Sequence, residues 1–292
     1  MDNLRGSLLM VLAMAGFALE DAFVKTLARD LHVGHILMLI GAGGTVIFTF
    51  AALSQRDRLI SRDILNRPLL LRNLGELTAA VCFVTALALA DLSLVSAILQ
   101  ATPLAVTFAA ALFLGETVGW RRWSAVAIGF LGVLMIIRPG LAGFDVASLW
   151  ALAAVAALAV RDLATRYTPR TITSRQISAY AFATLIPTGA VMVRLAGLPL
   201  LPGPFPIEVF LGATLFGSLG YYGVVAAMRV GEVSFVSPFR YTRLLFAMII
   251  GVVVFAERPD MWMLVGSAVI ICSGLYTILR EQQIKRRARR AG

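Results

Sequence analysis

Charged residues are scarce in this chain of 292 residues. They make up 14% of it, against about 25% in an ordinary soluble domain, while 59% of the residues are hydrophobic and the mean hydropathy is +0.86. A core of this size cannot hide so much apolar surface from water. The scarcity of charge therefore excludes an ordinary soluble protein and indicates that lipid surrounds most of the chain.

Cysteine and histidine are also rare, with two of each. Cys82 and Cys272 lie far apart inside apolar runs without metal-binding spacing, which is typical of packing residues. The chain contains no His-Glu-x-x-His, no Gly-x-Ser-x-Gly and no cluster of cysteine and histidine. We therefore predict no catalytic residue, no cofactor and no metal, and an enzyme is disfavoured.

Long apolar runs fill nearly the whole chain. Runs of about 20 mostly apolar residues are typical of membrane-spanning helices, because a helix satisfies its own backbone hydrogen bonds in hydrocarbon. The predicted fold class is an all-α integral membrane protein with ten spanning helices, at residues 7–28, 33–53, 69–90, 93–114, 123–137, 146–165, 177–195, 207–229, 233–255 and 262–279.

The formal net charge of +10 is unevenly distributed among the loops. With the first residue inside, most arginines fall in the inner loops and in the basic tail at residues 281–292, and few fall in the outer connections. The positive-inside rule then places both termini in the cytoplasm. The basic residues are accounted for by membrane orientation, so we predict the lipid bilayer as a partner and no nucleic acid.

One stretch of the chain occurs twice, at residues 93–116 and 234–257. Ser93 and Ser234, and likewise Glu116 and Glu257, are 141 positions apart. This self-match predicts one repeat at residues 1–141 and a second at residues 142–280. Each repeat has five spans, an odd number, so the second repeat must be inverted in the membrane. In inverted-repeat membrane proteins, solute sites lie at the repeat interface near the bilayer midplane.

Two acids lie deep in the first predicted helix. The helical rise places Glu20 and Asp21 roughly 20 Å from the start of the span, where a charge is costly unless it faces protein or water. They are therefore functional candidates, although Asp21 could simply pair with Lys25 four residues later. The repeat shift carries Glu20 and Asp21 onto Arg161 and Asp162 of the sixth helix.

Further charges occur in the third and ninth helices. Arg72 and Glu76 have the spacing of an ion pair, so Glu76 is either that partner or a cavity group. Arg240 and Arg243 lie about 10 to 15 Å from the cytoplasmic end and should find Glu76, Asp162 or an anionic group of a ligand. The resulting hypothesis places one polar set toward the cytoplasm, consisting of Glu76, Arg161, Asp162, Arg240, Tyr241 and Arg243. The other set lies toward the outside, with Glu20, Asp21, Lys25 and Gln100.

Proline residues predict breaks in two helices. Pro103 removes a backbone hydrogen bond in the fourth helix, on the face that also carries Ser96 and Gln100, and Pro238 does so in the ninth. Both prolines are predicted hinges. The complete set of residues predicted to line a central cavity is Phe17, Glu20, Asp21, Glu76, Thr78, Phe83, Gln100, Pro103, Leu158, Arg161, Asp162, Tyr221, Arg240, Tyr241 and Arg243.

Several motifs resemble a known repeat. Residues 90–96, Pro103, residues 114–116 and residues 129–132, with their second-half counterparts around Pro238, Glu257 and Gly274, resemble the EamA repeat of the drug/metabolite transporter superfamily. The resemblance implies a ten-helix carrier of the bacterial inner membrane with cytoplasmic termini and a central cavity between the repeats. It also implies that a monomer is sufficient for transport.

Within that superfamily, the chain resembles the bacterial amino-acid exporters. That similarity implies export of amino acids, aromatic or of broad range, or of related small metabolites by alternating access. The second repeat departs from the pattern, with Leu244 in place of Pro103 and with Arg240 and Arg243 added. The alternative is therefore uptake or exchange of another metabolite, such as a nucleoside-like or sulfonium compound. Protons remain a candidate coupling ion.

Overall fold

Helices make up almost all of the chain that the structure describes. The computed structural model describes residues 2–57, 66–114, 119–139, 145–169, 171–230 and 233–291, with no strand among them. The helices are α1 (Asp2–Leu27), α2 (Val33–Ser54), α3 (Arg67–Leu89), α4 (Leu92–Leu99), α5 (Thr102–Phe113), α6 (Trp120–Ile137), α7 (Ser148–Arg166), α8 (Ser174–Leu195), α9 (Ile207–Val230), α10 (Val233–Val236), a 3-10 segment (Ser237–Tyr241), α11 (Thr242–Phe255) and α12 (Met261–Ala291).

Ten of these stretches in the described chain are long and apolar enough to cross a membrane, which confirms the predicted number. The fourth span combines α4 and α5, and the ninth combines the 3-10 segment and α11. The last helix continues beyond its apolar part to Ala291, so the backbone of the basic tail extends the tenth span. Glu116, the acid at the end of the first copy of the repeat, lies outside the described residues.

The helices pack as pairs that join the two repeats. The most extensive contacts are those of α1 with α9, α2 with α8, α3 with α7, and α6 with α12. The 141-residue shift exchanges the α1–α9 pair with the α3–α7 pair and maps each of the other two pairs onto itself. This pattern is what two inverted five-helix repeats produce when they are related by a twofold axis in the membrane plane.

Glycine allows the paired backbones to approach closely. A Cβ atom on Gly34 of α2 would lie 2.7 Å from the carbonyl oxygen of Gly189 in α8, and one on Gly132 of α6 would lie 2.8 Å from that of Gly266 in α12. Small residues drive helix association in lipid because packing replaces the hydrophobic effect. The Gly129 to Gly132 and Gly266 to Gly274 segments are therefore packing surfaces.

The buried core is distributed unevenly between the two ends of the bundle. We call the end that holds Asp2 and Ser54 the terminal end, and the end that holds Leu27 and Phe255 the distal end. The larger cluster of buried apolar residues contains members of both repeats and reaches the distal end. The smaller cluster lies toward the terminal end and holds buried residues of α1, α9 and α10 alone among the described helices: Met10, Ala13, Met14, Ala227 and Val236.

Both predicted helix breaks occur in the structure. The fourth span is interrupted at Gln100 and Ala101, and Pro103 occupies the first turn of α5. In the ninth span, Pro238 occupies the first turn of the 3-10 segment. Gln100 and Tyr241 are 141 positions apart, so the two breaks occupy equivalent places in the repeats. Discontinuous helices in both halves are typical of the centre of an inverted-repeat carrier.

Candidate functional site

Asp21 and Arg243 form an ion pair between the two repeats. Nε of Arg243 donates to Oδ2 of Asp21 at 3.0 Å, and Nη2 donates to Oδ1 and Oδ2 at 2.7 Å each. The Asp21 side chain is 2% exposed and that of Arg243 is 24% exposed. Bidentate pairing of a guanidinium with a carboxylate is strong and geometrically specific. The pair therefore ties α1 of the first repeat to α11 of the second.

Two aromatic rings flank the arginine. The guanidinium carbon of Arg243 lies 5.2 Å from the centre of the Phe17 ring and 5.7 Å from that of Phe83. Phe17 comes from α1 and Phe83 from α3, and a desolvated cation is attracted to the face of such a ring. The sequence placed both phenylalanines in the cavity, and the structure brings them to the same cation.

Glu20 lies beside this pair but is not part of it. Its carboxylate contacts the backbone of α9 at Gly217, where an added Cβ would come 2.5 Å from Oε1. Among the described residues none donates a hydrogen bond to it, while the charges of Asp21 and Arg243 both act on it. The cluster of Glu20, Asp21 and Arg243 thus has two carboxylates and one guanidinium. We call these three residues, with Phe17 and Phe83, the central cluster.

A second set of charges lies between α3 and α7. Arg72 contacts Glu76 at 2.8 Å, which confirms the i, i+4 pair, and Arg161 reaches Glu76 at 3.4 Å and its neighbour Asp162 at 2.8 Å. The repeat shift relates Arg161 and Glu76 to Glu20 and Gly217. The two helix pairs therefore use equivalent positions for different chemistry.

The distal end is closed by polar contacts across the repeats. Glu257 accepts hydrogen bonds from the backbone N–H of Leu92 at 2.6 Å and of Ser93 at 2.9 Å, and from the Ser93 hydroxyl at 2.6 Å. Lys25 lies 3.8 Å from Glu257 and donates to the carbonyl oxygen of Ala90. The helix N-terminus favours a carboxylate because its first amide groups have no helical partner.

These contacts correct two predictions about pairing. Asp21 and Lys25 were considered as an i, i+4 pair, but Lys25 is bonded at the distal end and Asp21 to Arg243. Arg243 was expected to find Glu76, Asp162 or an anionic group of a ligand, and the protein group that it binds is neither Glu76 nor Asp162 but Asp21. Arg240 has an exposed side chain close enough to Asp162 and Arg161 for their charges to act on it.

Four predicted cavity residues belong neither to the central cluster nor to the charged set between α3 and α7. Thr78 is exposed on the face of α3 that carries Leu74, and Pro103 is exposed on α5. The Tyr221 hydroxyl instead bonds the Ser178 hydroxyl at 2.8 Å, linking α9 to α8. The fourth is Tyr241. The physical reason for the first two is rotation about the helix axis, because a residue's depth does not fix the direction in which it points.

Tyr241 is the fourth of these residues. Its side chain is buried against α12, where a Cβ on Gly274 would clash with the tyrosine hydroxyl. That hydroxyl has no hydrogen-bond partner among the described residues, and the same is true of the buried Ser96 hydroxyl in α4. Tyr241 therefore fills a packing gap between the ninth and tenth spans.

Two remaining candidates lie where a cavity wall could include them. Gln100 is buried at the break between α4 and α5. Leu158 is half-buried on the face of α7 that also carries Arg161 and Asp162, since these residues are three and four positions apart. Leu158 is the repeat counterpart of Phe17, so the second repeat replaces an aromatic ring with an aliphatic side chain.

A separate polar pocket lies on the distal surface. It has a volume of about 180 Å³ and is lined by residues of both charges, including Asp91, Arg138, Asp145, Arg258 and Asp260. Burial raises the pKa of Asp91, and the nearby Glu257 carboxylate acts in the same direction. This pocket lies at the distal ends of the spans and does not include the central cluster.

The groups of the central cluster are suited to reversible binding. Its groups are carboxylates, a guanidinium and aromatic rings, all of which make reversible contacts. Within the described chain no group of three or more metal-ligating side chains could hold a metal ion. The arrangement is suited to recognising a small polar solute between the two repeats.

Comparison with known proteins identifies the family. The sequence matches the EamA-like transporter family over residues 4–138 and again over residues 146–280. The chain belongs to that family. The two matches correspond to the two repeats, so the EamA resemblance expected from the sequence is confirmed, and the fold is that of a transporter of the drug/metabolite superfamily.

Relatives of this EamA-like protein are named as transporters of different solutes. It is 32% identical to a riboflavin transporter of Brucella anthropi over 66% of this chain and 70% of that protein. It is 23% identical to an S-adenosylmethionine uptake transporter of Rickettsia conorii, covering 95% of this chain and 93% of the relative. It is 26% identical to a pseudopaline exporter of Pseudomonas aeruginosa, covering 91% and 93%.

A solved structure has the same fold. One crystal structure superposes on this chain with a TM-score of 0.60 at 17% sequence identity. The superposition covers 97% of this chain and 98% of the chain in that crystal structure. The family match, and not this structural likeness, makes the EamA-like protein a multi-pass membrane transporter of small molecules, with bacterial relatives.

The Asp21–Arg243 pair was not predicted from the sequence. The sequence assigned these residues to opposite sides of the midplane, and no motif marks them as partners. The contact of Glu20 with Gly217 was also not predicted. One signal in the sequence could have indicated the pair. A buried Asp21 needs a cation as its partner, and Lys25 lies too near the end of its helix to be that cation.

Proposed function

We propose that this protein is a secondary carrier that moves a small metabolite across the bacterial inner membrane by alternating access. The observation that carries this proposal is the Asp21–Arg243 pair, which links the two repeats deep inside the bundle. A buried ion pair is weak evidence for stability, because desolvation offsets much of its Coulomb energy. Intramembrane charges are instead typical of a solute pathway.

Alternating access is supported by the helix breaks and by the uneven core. The breaks at Gln100 and Tyr241 interrupt the fourth and ninth spans at equivalent positions. The larger apolar cluster and the Lys25–Glu257 contacts close the distal end in this state. Rocking of the repeats about the central cluster, with Pro103 and Pro238 as hinges, would then open that end and close the other.

Uptake or exchange of a nucleoside-like or sulfonium metabolite is our first candidate for the solute. Two relatives that cover different shares of the chain are named as transporters of riboflavin and of S-adenosylmethionine, which both contain a flat heterocycle. Phe17 and Phe83 offer ring faces to such a solute, and Glu20 offers a carboxylate to a cationic group.

Export of amino acids, aromatic or of broad range, is the second candidate. Arg243 could bind a solute carboxylate, and the same two rings could contact an aromatic side chain. The pseudopaline exporter among the relatives supports the export direction. The direction and the coupling ion belong to the same proposal, with protons as a candidate that would act at Glu20, Asp21, Glu76 or Asp162.

The proposed orientation has both termini in the cytoplasm and a monomer as the transporting unit. Arginine is frequent at the terminal end of the bundle. The residues near helix ends there are Arg56, Arg67, Arg121, Arg122 and Arg175. The distal end has fewer, among them Arg29, Arg138 and Arg194. The positive-inside rule supports a cytoplasmic terminal end. The proposal includes no enzymatic activity and no cofactor.

Counterflow into vesicles that hold the purified protein tests this proposal. Vesicles preloaded with an unlabelled solute are given a trace of the labelled solute, with and without a pH gradient. The panel contains amino acids, S-adenosylmethionine, adenosine and riboflavin. Saturable accumulation of any member above protein-free vesicles supports a carrier. Linear, non-saturable entry of all members would point to a channel, and no entry of any member would remove the proposed function.

A further inference from the structure

Arg243 retains binding capacity while it is paired. A guanidinium has five N–H donors, and here Nε and Nη2 are used by Asp21, while Nη1 donates to none of the described residues. The side chain is 24% exposed, whereas Asp21 is 2% exposed. The free edge of the guanidinium is therefore the side that a solute can reach.

The central cluster also contains one more acidic side chain than it has basic ones. Asp21 and Arg243 neutralise each other, which leaves the Glu20 carboxylate without a bonded cation among the described residues. Glu20 and Asp21 are adjacent, and both follow Phe17 by about one helical turn, so the three lie on one face of α1. A group that binds here has to satisfy one anionic site and one cationic site a short distance apart.

We infer that the central cluster binds the zwitterionic α-amino-carboxylate group of its solute, with the carboxylate on Arg243 and the ammonium between Glu20 and Asp21. This inference rests on the proposed function and names the part of the solute that the site recognises. The group adds one negative and one positive charge, so the number of paired charges rises without changing the net charge of the site. A solute with only one of the two charges leaves a buried group unpaired, which is costly.

Binding of this group to the central cluster would also affect the contact between the two repeats. The solute carboxylate competes with Asp21 for Arg243, and the solute ammonium compensates Asp21 when that bond loosens. The only bidentate link seen between α1 of the first repeat and α11 of the second in the described chain is thereby weakened when solute is present. An α-amino-carboxylate is also common to both solute candidates, because S-adenosylmethionine contains one.

Competition in the counterflow assay tests the inference. Labelled methionine and labelled S-adenosylmethionine are each challenged with L-phenylalanine, its methyl ester and 3-phenylpropionate. The ester lacks the carboxylate charge, and phenylpropionate lacks the ammonium. Since a charge-assisted hydrogen bond is involved in each case, we expect each analogue to compete roughly 10- to 100-fold more weakly than phenylalanine.

Two variants test whether Glu20 binds the solute ammonium and whether Arg243 binds the solute carboxylate. Glu20→Gln leaves the Asp21–Arg243 pair in place, and we expect it to reduce the preference for phenylalanine over phenylpropionate. Arg243→Lys keeps a cation but loses the fork, and we expect it to weaken phenylalanine more than its ester. Arg194→Gln, at an exposed position in the last turn of α8, is the matched control and should preserve both ratios.

The possible results separate this inference from the proposed function. Exchange of riboflavin or adenosine that amino acids and S-adenosylmethionine do not inhibit would overturn the inference and keep the carrier. Equal competition by phenylalanine and both analogues would also overturn it. Exchange of no solute would remove both. Ligand-induced stabilisation of the detergent-purified variants, measured as a shift in Tm, provides a readout that does not depend on transport.

Discussion

Glu257 and Lys25 come from different repeats and meet at the distal end, 3.8 Å apart. Glu257 follows α11, and Ala256 before it has a left-handed backbone with a φ of 54°, which turns the chain back so that the Glu257 N–H donates to the carbonyl oxygen of Gly251. The carboxylate then lies on the first residues of α4. The end of one discontinuous span thus closes the start of the other.

Replacing Glu257 by alanine should destabilise the protein. The backbone N–H groups of Leu92 and Ser93 lose their acceptor in a buried place, and an unsatisfied buried donor costs about 1–3 kcal/mol. We expect a lower Tm for the detergent-purified variant, and faster labelling, from the distal side, of a cysteine introduced near Leu31. Glu208→Ala, at the start of α9, is a control acid. A Tm equal to that of the wild type would contradict the structural role of Glu257.

Gly251→Ala should have a similar effect for a steric reason. An added Cβ would collide with the Glu257 carboxylate and the Ser93 hydroxyl, and overpacking of this kind typically costs about 1–3 kcal/mol. Gly203→Ala is the matched control, since nothing lies within 4 Å of its added Cβ. Thermal unfolding of both variants checks the prediction, which fails if the two melt at the same temperature.

The pair of Asp57 and Arg175 should make stability depend on acid pH. Hydrogen bonds from Arg175, at 2.8 and 3.3 Å, are the largest cause that lowers the pKa of Asp57 below its ordinary value of 3.8, and the Thr173 hydroxyl adds to it. A carboxyl whose pKa is lower in the folded state stabilises that state above the unfolded pKa. This contribution is lost as the pH falls through the folded pKa.

Asp57→Asn should remove that pH dependence. Because the pair is partly exposed, its contribution at neutral pH is about 0.2–1 kcal/mol. The measurement is Tm against pH from about 6 down to the acid limit of the purified protein, for the wild type and the variant. We expect the two curves to converge as the pH drops below 3.8. Parallel curves over the whole range would show that the pair has no role in stability.

Restoring a continuous fourth span should slow transport. Pro103 lacks the N–H that a continuous helix would use, and proline in a helix interior is disfavoured by about 3 kcal/mol relative to alanine. If Pro103→Ala transfers half of that to the barrier between states, exchange slows roughly tenfold. Pro187→Ala is the control, because Pro187 lies inside the unbroken helix α8. Unchanged exchange rates in Pro103→Ala and Pro238→Ala would remove the hinge role.

The spans and the repeat could be predicted because they depend on composition and on chain order. A run of apolar residues must cross lipid as a helix, and the positions 141 apart reveal the duplication directly. Pro103 and Pro238 marked the breaks because each removes a backbone donor. The Arg72–Glu76 pair could also be read from its i, i+4 spacing, which is local to one helix.

The pairing of residues on different helices could not be predicted in this way. Helical rise gives the depth of Arg243 only approximately, and the long arginine side chain reaches Asp21 on α1. Thr78 lies two residues from Glu76 but on the opposite, exposed face, because successive residues are rotated by about 100° around a helix. Helix tilt and rotation are set by packing against neighbours.

The sequence by itself therefore determined the lipid environment, the ten spans, the inverted duplication and the places where two spans break. These follow from hydrophobicity, from chain order and from the chemistry of proline, each of which acts locally along the chain. The tertiary structure decided that Asp21 binds Arg243, that Glu20 lies against Gly217 and that Glu257 closes α4. Those choices depend on which faces of distant helices meet, and only the packing of the two repeats fixes that.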